Sequence, residues 1–109
     1  MKRLPDRISV ERRSSEPDGF GNYVGAWVPG FSRWCSVQAL RGSEAVIAAR
    51  LEGRQPVIVT VRSDPDTDTI TPEMRATING RVYNVREHPR LTKDRLYLEF
   101  LAESGVSDG

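Results

Sequence analysis

The sequence has little of the residue types on which metal binding and catalysis most often depend. It holds one cysteine, Cys35, and one histidine, His88, among 109 residues. Two such residues cannot build a structural zinc site or a disulfide framework within one chain. A lone imidazole with no nucleophile near it in sequence carries no specific signal of a catalytic triad. We therefore expect no metal, no cofactor, no catalytic residue and no enzyme activity. Cys35 is expected to be a small buried apolar residue, with a reactive thiol as the alternative.

An excess of either charge is also missing. The chain has 16 basic and 15 acidic side chains and a formal net charge of +1. A dedicated nucleic-acid binder needs a surplus of basic groups on one surface, because counterion release drives its binding. Near-neutrality instead lowers self-repulsion and suits assembly with other copies or with partners.

Long hydrophobic runs are absent as well. The longest uncharged run, residues 19–32, contains four glycines and a proline, so it cannot cross a bilayer as a helix. We expect no membrane partner.

Enough apolar surface is nevertheless present for folding. Leu, Ile, Val and Phe make up 26 residues, about a quarter of the chain, which is above the range in which chains stay disordered. The length predicts a single domain over residues 1–109, with about residues 102–109 as a flexible tail.

Most segments carry β-strand patterns. Ile8 and Val10 alternate with polar neighbours, and Val57, Val59 and Val61 form a second alternating series. The Asn79-Gly80 pair tolerates the positive φ angles of a two-residue hairpin turn. Strands are expected at residues 6–13, 23–28, 31–40, 56–62, 74–78, 82–85 and 95–101.

One helix is expected within this series of strands, at residues 43–53. Ser43 can cap its first turn, Glu44 lies near the positive end of the helix dipole, and Gly53 can supply a left-handed residue at the end. The predicted fold is therefore mainly β, a small antiparallel barrel or sandwich with one short inserted α-helix.

An acidic segment follows the fourth strand prediction. Asp64, Asp66 and Asp68 imitate the start of a calcium loop, but Thr69 replaces the required glycine and Arg75 stands where a bidentate acid belongs. We expect a solvated acidic loop that binds no metal.

Arginine accounts for 14 of the 16 basic residues. Together with Trp27, Trp34 and three tyrosines, it leaves open a small barrel that binds single-stranded nucleic acid, because such proteins stack bases on aromatic rings in a basic groove. The alternative use of the aromatic residues is in the core or in a subunit interface.

Four segments occur in an order and spacing that resemble one known family. The first has the form Leu-x-x-Arg-Ile-x-Val-x-Arg, and the last joins Ile-x-Pro-x-Met-Arg to Gly-Arg-x-Tyr-x-Val. In the third segment, residues 34–44, Cys35 and Ala39 stand where the family usually has Ala and Pro. The segments are residues 4–12 (LPDRISVER), 18–23 (DGFGNY) with Trp27, 34–44 (WCSVQALRGSE), and 70–75 (ITPEMR) with 80–85 (GRVYNV). Over roughly residues 4–101 the chain thus resembles the head-tail joining proteins of tailed phages, also called head-closure or stopper proteins, and their relatives in gene transfer agents.

The resemblance implies a structural role in a virion, at the head-tail junction, after assembly in the bacterial cytoplasm. Such proteins form a ring, usually a dodecamer, below the portal or adaptor protein. The ring closes the DNA-filled head, lets double-stranded DNA pass through its channel, and docks a tail terminator or tail-completion protein. The alternatives are another connector ring component, such as a tail-completion protein, and the single-stranded nucleic-acid-binding barrel.

Within this hypothesis, two segments are expected to face the channel or a neighbouring subunit: the insert at residues 41–56, which includes the helix, and then the acidic loop at residues 63–71. The acidic residues 64–68 and the arginine-bearing residues 41–54 are candidates to meet across a ring interface. A third segment, around Tyr23 and Trp27, is expected to anchor a partner, with core packing as the other interpretation. The expected channel or interface residues are Arg41, Ser43, Glu44, Arg50, Arg54, Asp64, Asp66 and Asp68.

Overall fold

The computed structural model describes residues 3–13, 27–40 and 43–105. Its strands are β1 (Asp6–Arg13), β2 (Trp27–Ala39), β3 (Gln55–Arg62), β4 (Arg75–Ile78), β5 (Arg81–Val85), β6 (Arg90–Leu91) and β7 (Tyr97–Ser104). One α-helix, α1 (Glu44–Leu51), and one 3-10 turn, Thr67–Thr69, complete the elements of these residues.

Backbone pairing closes six of the strands into an antiparallel barrel. The order around the barrel is β1-β2-β3-β7-β5-β4, and β4 returns to β1. The short β6 pairs with β7 beside β5. The predicted class, mainly β with one inserted helix, is confirmed, and of the two architectures that the sequence allowed the fold is the barrel.

Alternating apolar residues fill the interior. Ile8, Cys35, Val59, Val61 and Phe100 are all completely buried, and they belong to one cluster to which every barrel strand contributes. Because successive side chains of a strand point to opposite faces, the same alternation leaves a polar outer wall.

The antiparallel order sorts the connections onto two ends of the barrel. One end, called the helix end here, carries α1 and the Asn79–Gly80 turn, together with the start of β1 and the end of β7. The other, called the acidic end, carries residues 63–74 and the turn between β6 and β7. The two ends therefore present different chemistry.

Local signals predicted the helix and the hairpin correctly. Asn79 and Gly80 have φ angles of 51° and 80°, as a two-residue turn with two positive φ angles requires. The Ser43 hydroxyl accepts a hydrogen bond from the Val46 amide at 3.1 Å, and Gly53 has a φ of 82° after the helix. Each of these features is set within a few residues of sequence.

The predicted flexible tail was wrong at its beginning. Strand β7 continues to Ser104, and Ala102 is completely buried. Residues 102–104 pair on one side with β3 and on the other with β5, so distant partners hold a segment that has weak apolar character of its own. Residues 106–109 lie outside the described residues.

Two predicted strands also had wrong limits. β2 begins at Trp27 rather than at Phe31, and it absorbs the end of the strand expected at residues 23–28, of which residues 23–26 lie outside the described part. β7 begins at Tyr97 rather than at Arg95, and Leu96, just before it, is 48% exposed.

Candidate functional site

The helix end carries the insert that the sequence marked as an interface. Ser43 caps α1, which packs Val46 and Ala49 against the barrel. Glu44 is exposed in the first turn. On the same side of the helix, Leu51 is 84% exposed, so α1 presents an acidic group and apolar groups outward.

Two of the arginines expected at an interface instead fasten the insert to its own barrel. Arg50 donates a hydrogen bond from Nη2 to the Leu40 carbonyl oxygen at 2.8 Å. Arg54 donates from Nη1 to Oε1 of Glu103 at 3.1 Å and also pairs with Glu52. The hydrogen bond with Glu52 is the main cause that raises the pKa of Arg54. Arg41 lies outside the described residues.

At the acidic end, Arg33 of β2 clamps the acidic loop. Its Nε lies 2.9 Å from Oδ2 of Asp64, and its Nη2 pairs with Asp66. The other oxygen of Asp64, Oδ1, accepts hydrogen bonds from the amides of Asp66 and Thr67, both at 2.8 Å. Buried Thr67 donates from its hydroxyl to the Arg62 carbonyl oxygen at 2.8 Å. The loop is thus an ordered structure built around Asp64.

These contacts set the charge of Asp64. Partial burial alone would raise its pKa, but the Thr67 amide, the Arg33 hydrogen bond and the Arg33 charge together outweigh burial and lower the pKa. The same contact raises the pKa of Arg33. Asp68 is exposed and forms no ion pair with a described residue.

The predicted acidic and arginine-bearing segments do not meet within one chain. They lie at opposite ends of the barrel, because β3 starts beside the insert and ends at the acidic loop. Within residues 3–13, 27–40 and 43–105, no three His, Cys, Asp or Glu side chains are grouped to hold a metal ion. No helix in this part of the chain is long and apolar enough to cross a membrane.

Trp27, the expected partner anchor, lies between two arginines of its own chain. The Arg13 and Arg75 guanidiniums lie over its ring, 4.5 and 4.4 Å from the centroid. Nε of Arg75 also lies 3.2 Å from Oε1 of Glu11. The half-buried indole therefore joins β1, β2 and β4 near the acidic end. Tyr23 lies outside the described residues.

The exposure of Trp34 was not predicted from the sequence, in which it stood as one of several aromatic residues. Trp34 is 58% exposed on the outer wall. It pairs across strands with Arg7, whose guanidinium lies 4.9 Å from the ring centroid. The parity of β2 placed Trp34 opposite to Cys35, but nothing local to either residue indicated the register that brings Arg7 to it.

Cys35 matches the prediction of a buried apolar residue. The side chain is completely buried in the core, and burial, with a smaller contribution from the charge of Asp6, raises the pKa of its thiol to about 12. A thiolate is the reactive form of cysteine, so the Cys35 thiol is unreactive in the folded protein.

Comparison with known proteins gives one family and two similar structures. The family described as Phage head completion protein matches residues 1–105. The solution structure of a protein from Shigella flexneri 2a has 27% identity and a TM-score of 0.73, with 97% of this chain and 96% of that one covered. A chain in the virion of a native gene transfer agent particle has 21% identity and a TM-score of 0.70, with 99% of this chain and 100% of that one covered. The search among curated proteins finds no match.

Proposed function

Because the chain belongs to the phage head completion protein family, we propose that it forms a ring at the head-tail junction of a phage or phage-like particle. The family is one of structural virion proteins and not of enzymes. In the proposal, the ring lies below the portal or adaptor protein, closes the DNA-filled head and docks the tail. The observation that carries the proposal is the family match over residues 1–105.

The two unlike ends of the barrel support a part that joins two different partners. The helix end offers an exposed apolar and acidic helix, and the acidic end offers a rigid loop with Asp68 exposed. A connector between head and tail needs two distinct docking surfaces, since a single surface can serve only one of them. A cyclic arrangement of copies would present each set of loops in a ring.

Within this proposal the interface residues divide by role. Glu44 of the helix and Asp68 of the acidic loop are both exposed. They are the candidates to line the channel or to contact a neighbouring subunit or a partner protein directly. Arg50 and Arg54 hold the insert, and Ser43 starts its helix. Asp64 and Asp66 hold the loop through Arg33. Trp27 supports the contact surface indirectly: because two arginines already cover its ring, it joins β1, β2 and β4 to one another.

The charge balance is suited to a channel component. With a net charge of +1, the chain lacks the surplus of basic groups whose binding to phosphates releases counterions and would hold double-stranded DNA against the channel wall. DNA can therefore pass without being retained.

Removal of the gene from a producing strain, with the chain supplied again from a plasmid, tests the proposal. Without the chain we expect filled heads that lose nuclease-protected DNA, together with separate tails, and complementation restores joined particles. Electron microscopy of the restored particles should place the chain between portal and tail. Normal yields of filled, joined particles without the chain would overturn the proposal. Density for the chain found only on the tail side of the junction, away from the portal, would favour a tail-completion protein.

The exposed Trp34 beside Arg7 favours a second candidate, a barrel that binds single-stranded nucleic acid, since aromatic rings and arginines are what such proteins use. That candidate predicts that purified chain binds single-stranded oligonucleotide with an affinity that falls steeply with salt. The connector predicts no such binding. Fluorescence anisotropy at two salt concentrations separates the two.

A further inference from the structure

The helix α1 turns its larger apolar side chains away from the barrel. Its inward residues are Val46 and Ala49, whereas Ile47 is 49% and Leu51 84% exposed. Glu44, Ile47, Ala48 and Leu51 are all exposed, and their spacing of i, i+3, i+4 and i+7 places them on one face. We call these four residues the helix stripe. An eight-residue helix depends on packing for its stability, so an outward apolar face on it is a surface for another molecule.

A second exposed surface lies on the barrel wall. Trp34 is 58% exposed there with Arg7 over its ring. Arg62 follows Val61, the register partner of Cys35, so it lies beside Trp34 on β3. The neighbours of Trp34 on the outer face of β2 are the small Ser32 and Ser36, which leave the wall flat around the indole. We call Arg7, Trp34 and Arg62 the tryptophan patch.

The two surfaces have complementary charges. Among the described residues, no acidic side chain pairs with Arg7 or Arg62, and no basic side chain pairs with Glu44. Leu91 and Leu96 are also exposed, and basic residues stand near them in sequence, but neither presents an aromatic ring. The exposed indole between two arginines, together with charge complementarity, therefore favours the tryptophan patch as the receiver of the helix stripe.

We propose that the helix stripe of one copy packs on the tryptophan patch of the next copy. Ile47 and Leu51 would cover the indole, and Glu44 would face the two arginines. Because the two surfaces are different and belong to every chain, the contact is heterologous, which is the type of contact from which cyclic rings of identical copies are built. The inference rests on the proposed ring and names the centre of its subunit contact. Trp and Arg are the residues that most often dominate such centres.

Cross-linking in assembled particles tests the contact. Leu51→Cys and Ser36→Cys, the latter beside Trp34 on the outer face of β2, are introduced into one chain. This chain is supplied to a strain that lacks the gene, and purified particles are treated with a short bismaleimide. We expect a ladder of covalent dimers, trimers and larger species with loss of the monomer band. Each single variant should give no ladder, since the native Cys35 is buried. A matched control joins Leu51→Cys to Leu96→Cys, at the acidic end, and should also give none.

Three results would overturn the inference. The first is particles that contain the double variant yet give no ladder, and the second is a ladder from the control pair. The third is a dimer, without larger species, from Leu51→Cys alone, which would mean a two-fold contact. If joined particles form and hold the chain without a ladder, only the inference fails. If the unaltered chain is also missing from purified particles, the proposed function fails with the inference.

A charge exchange gives a second, independent measurement. Glu44→Arg places like charges together and should lower the yield of joined particles at least about tenfold, as the loss of a close interfacial charge pair does. Adding Arg7→Glu and Arg62→Glu to the same chain should restore the yield. Failure of this restoration, with each variant folded by circular dichroism, would contradict the pairing of these charges.

Discussion

Gly105, just beyond the end of β7, faces the carbonyl of Gly53 so closely that a Cβ added to Gly105 would lie 2.0 Å from that oxygen. Both glycines have positive φ angles, 88° and 82°. The contact joins the end of the barrel's last strand to the chain that leaves α1, and Arg54 pairs with Glu103 beside it. The insert and the end of the described chain are thus fixed to each other.

Gly105→Ala should therefore destabilise the protein by about 2 to 5 kcal/mol, because left-handed strain and backbone overlap add. Gly80→Ala is the matched control, since its φ is 80° but an added Cβ meets no atom within 4 Å. It should cost only about 1 to 2 kcal/mol. Urea denaturation of both variants gives the comparison, and equal losses would mean that the close approach at Gly105 carries no energy.

The Asp64 clamp should make stability depend on pH in the acid range. Its folded pKa is lower than the ordinary value, so the folded state binds fewer protons than the unfolded state as pH falls. The stabilisation is complete above the unfolded pKa of about 3.9 and is lost as pH falls through the lower folded value.

Asp64→Asn should cost about 1 kcal/mol at pH 7, and the difference from the parent protein should shrink below about pH 4. Asp68→Asn removes an exposed carboxylate of the same loop and should leave the free energy of unfolding almost unchanged at both pH values. Urea denaturation at pH 7 and pH 3 measures both effects. A difference for Asp64→Asn that stays constant with pH would show that lost shape, and not lost charge, is responsible.

Cys35 should resist thiol reagents as long as the barrel is folded. A pKa of about 12 leaves about one thiol in ten thousand ionised at pH 8, against a quarter or so for an ordinary cysteine. We expect colour development with Ellman's reagent only after denaturant is added. Rapid reaction of the native protein would mean that the barrel opens near β2 on the timescale of the assay.

The two tryptophans should differ in their contribution to stability. Trp27 is half-buried under two guanidiniums, whereas Trp34 is 58% exposed beneath one. At about 0.5 to 1 kcal/mol for each cation–π contact, Trp27→Leu should lower the free energy of unfolding by about 1 to 2 kcal/mol from these contacts. Trp34→Leu should lower it by less than about 1 kcal/mol. Thermal denaturation followed by circular dichroism ranks the two, and the opposite order would contradict the assigned role of Trp27.

Features that depend on neighbours in sequence could be predicted from the residues alone. The hairpin follows from the tolerance of Asn79 and Gly80 for positive φ, and the helix from the cap at Ser43. The buried state of Cys35 follows from the small apolar character of cysteine and from its parity with Phe31 and Val37 along the strand. The family also follows from ordered local segments, because each motif is short and its spacing is kept.

The interface residues show where such prediction ends. Arg54 and Asp64 were expected to face the channel or a neighbouring subunit, and the structure adds that each is held by a side chain of its own chain, Glu103 and Arg33. The segments expected to meet across a ring interface lie at opposite ends of one barrel, since strand direction decides which loops share an end. The parity of β2 places Trp34 on the face opposite Cys35, but no local feature indicates that Arg7 lies beside it.

The sequence by itself determined the strand and helix types, the turn, the cap and the family, because short-range backbone preferences and apolar periodicity encode them. Tertiary structure decided which charges far apart in sequence neutralise each other. Arg33 and Asp64, Arg54 and Glu103, and Arg75 and Glu11 are 31, 49 and 64 positions apart. Such pairs form only once barrel closure sets the register of distant strands, and that register also decides which side chains remain outside for a partner.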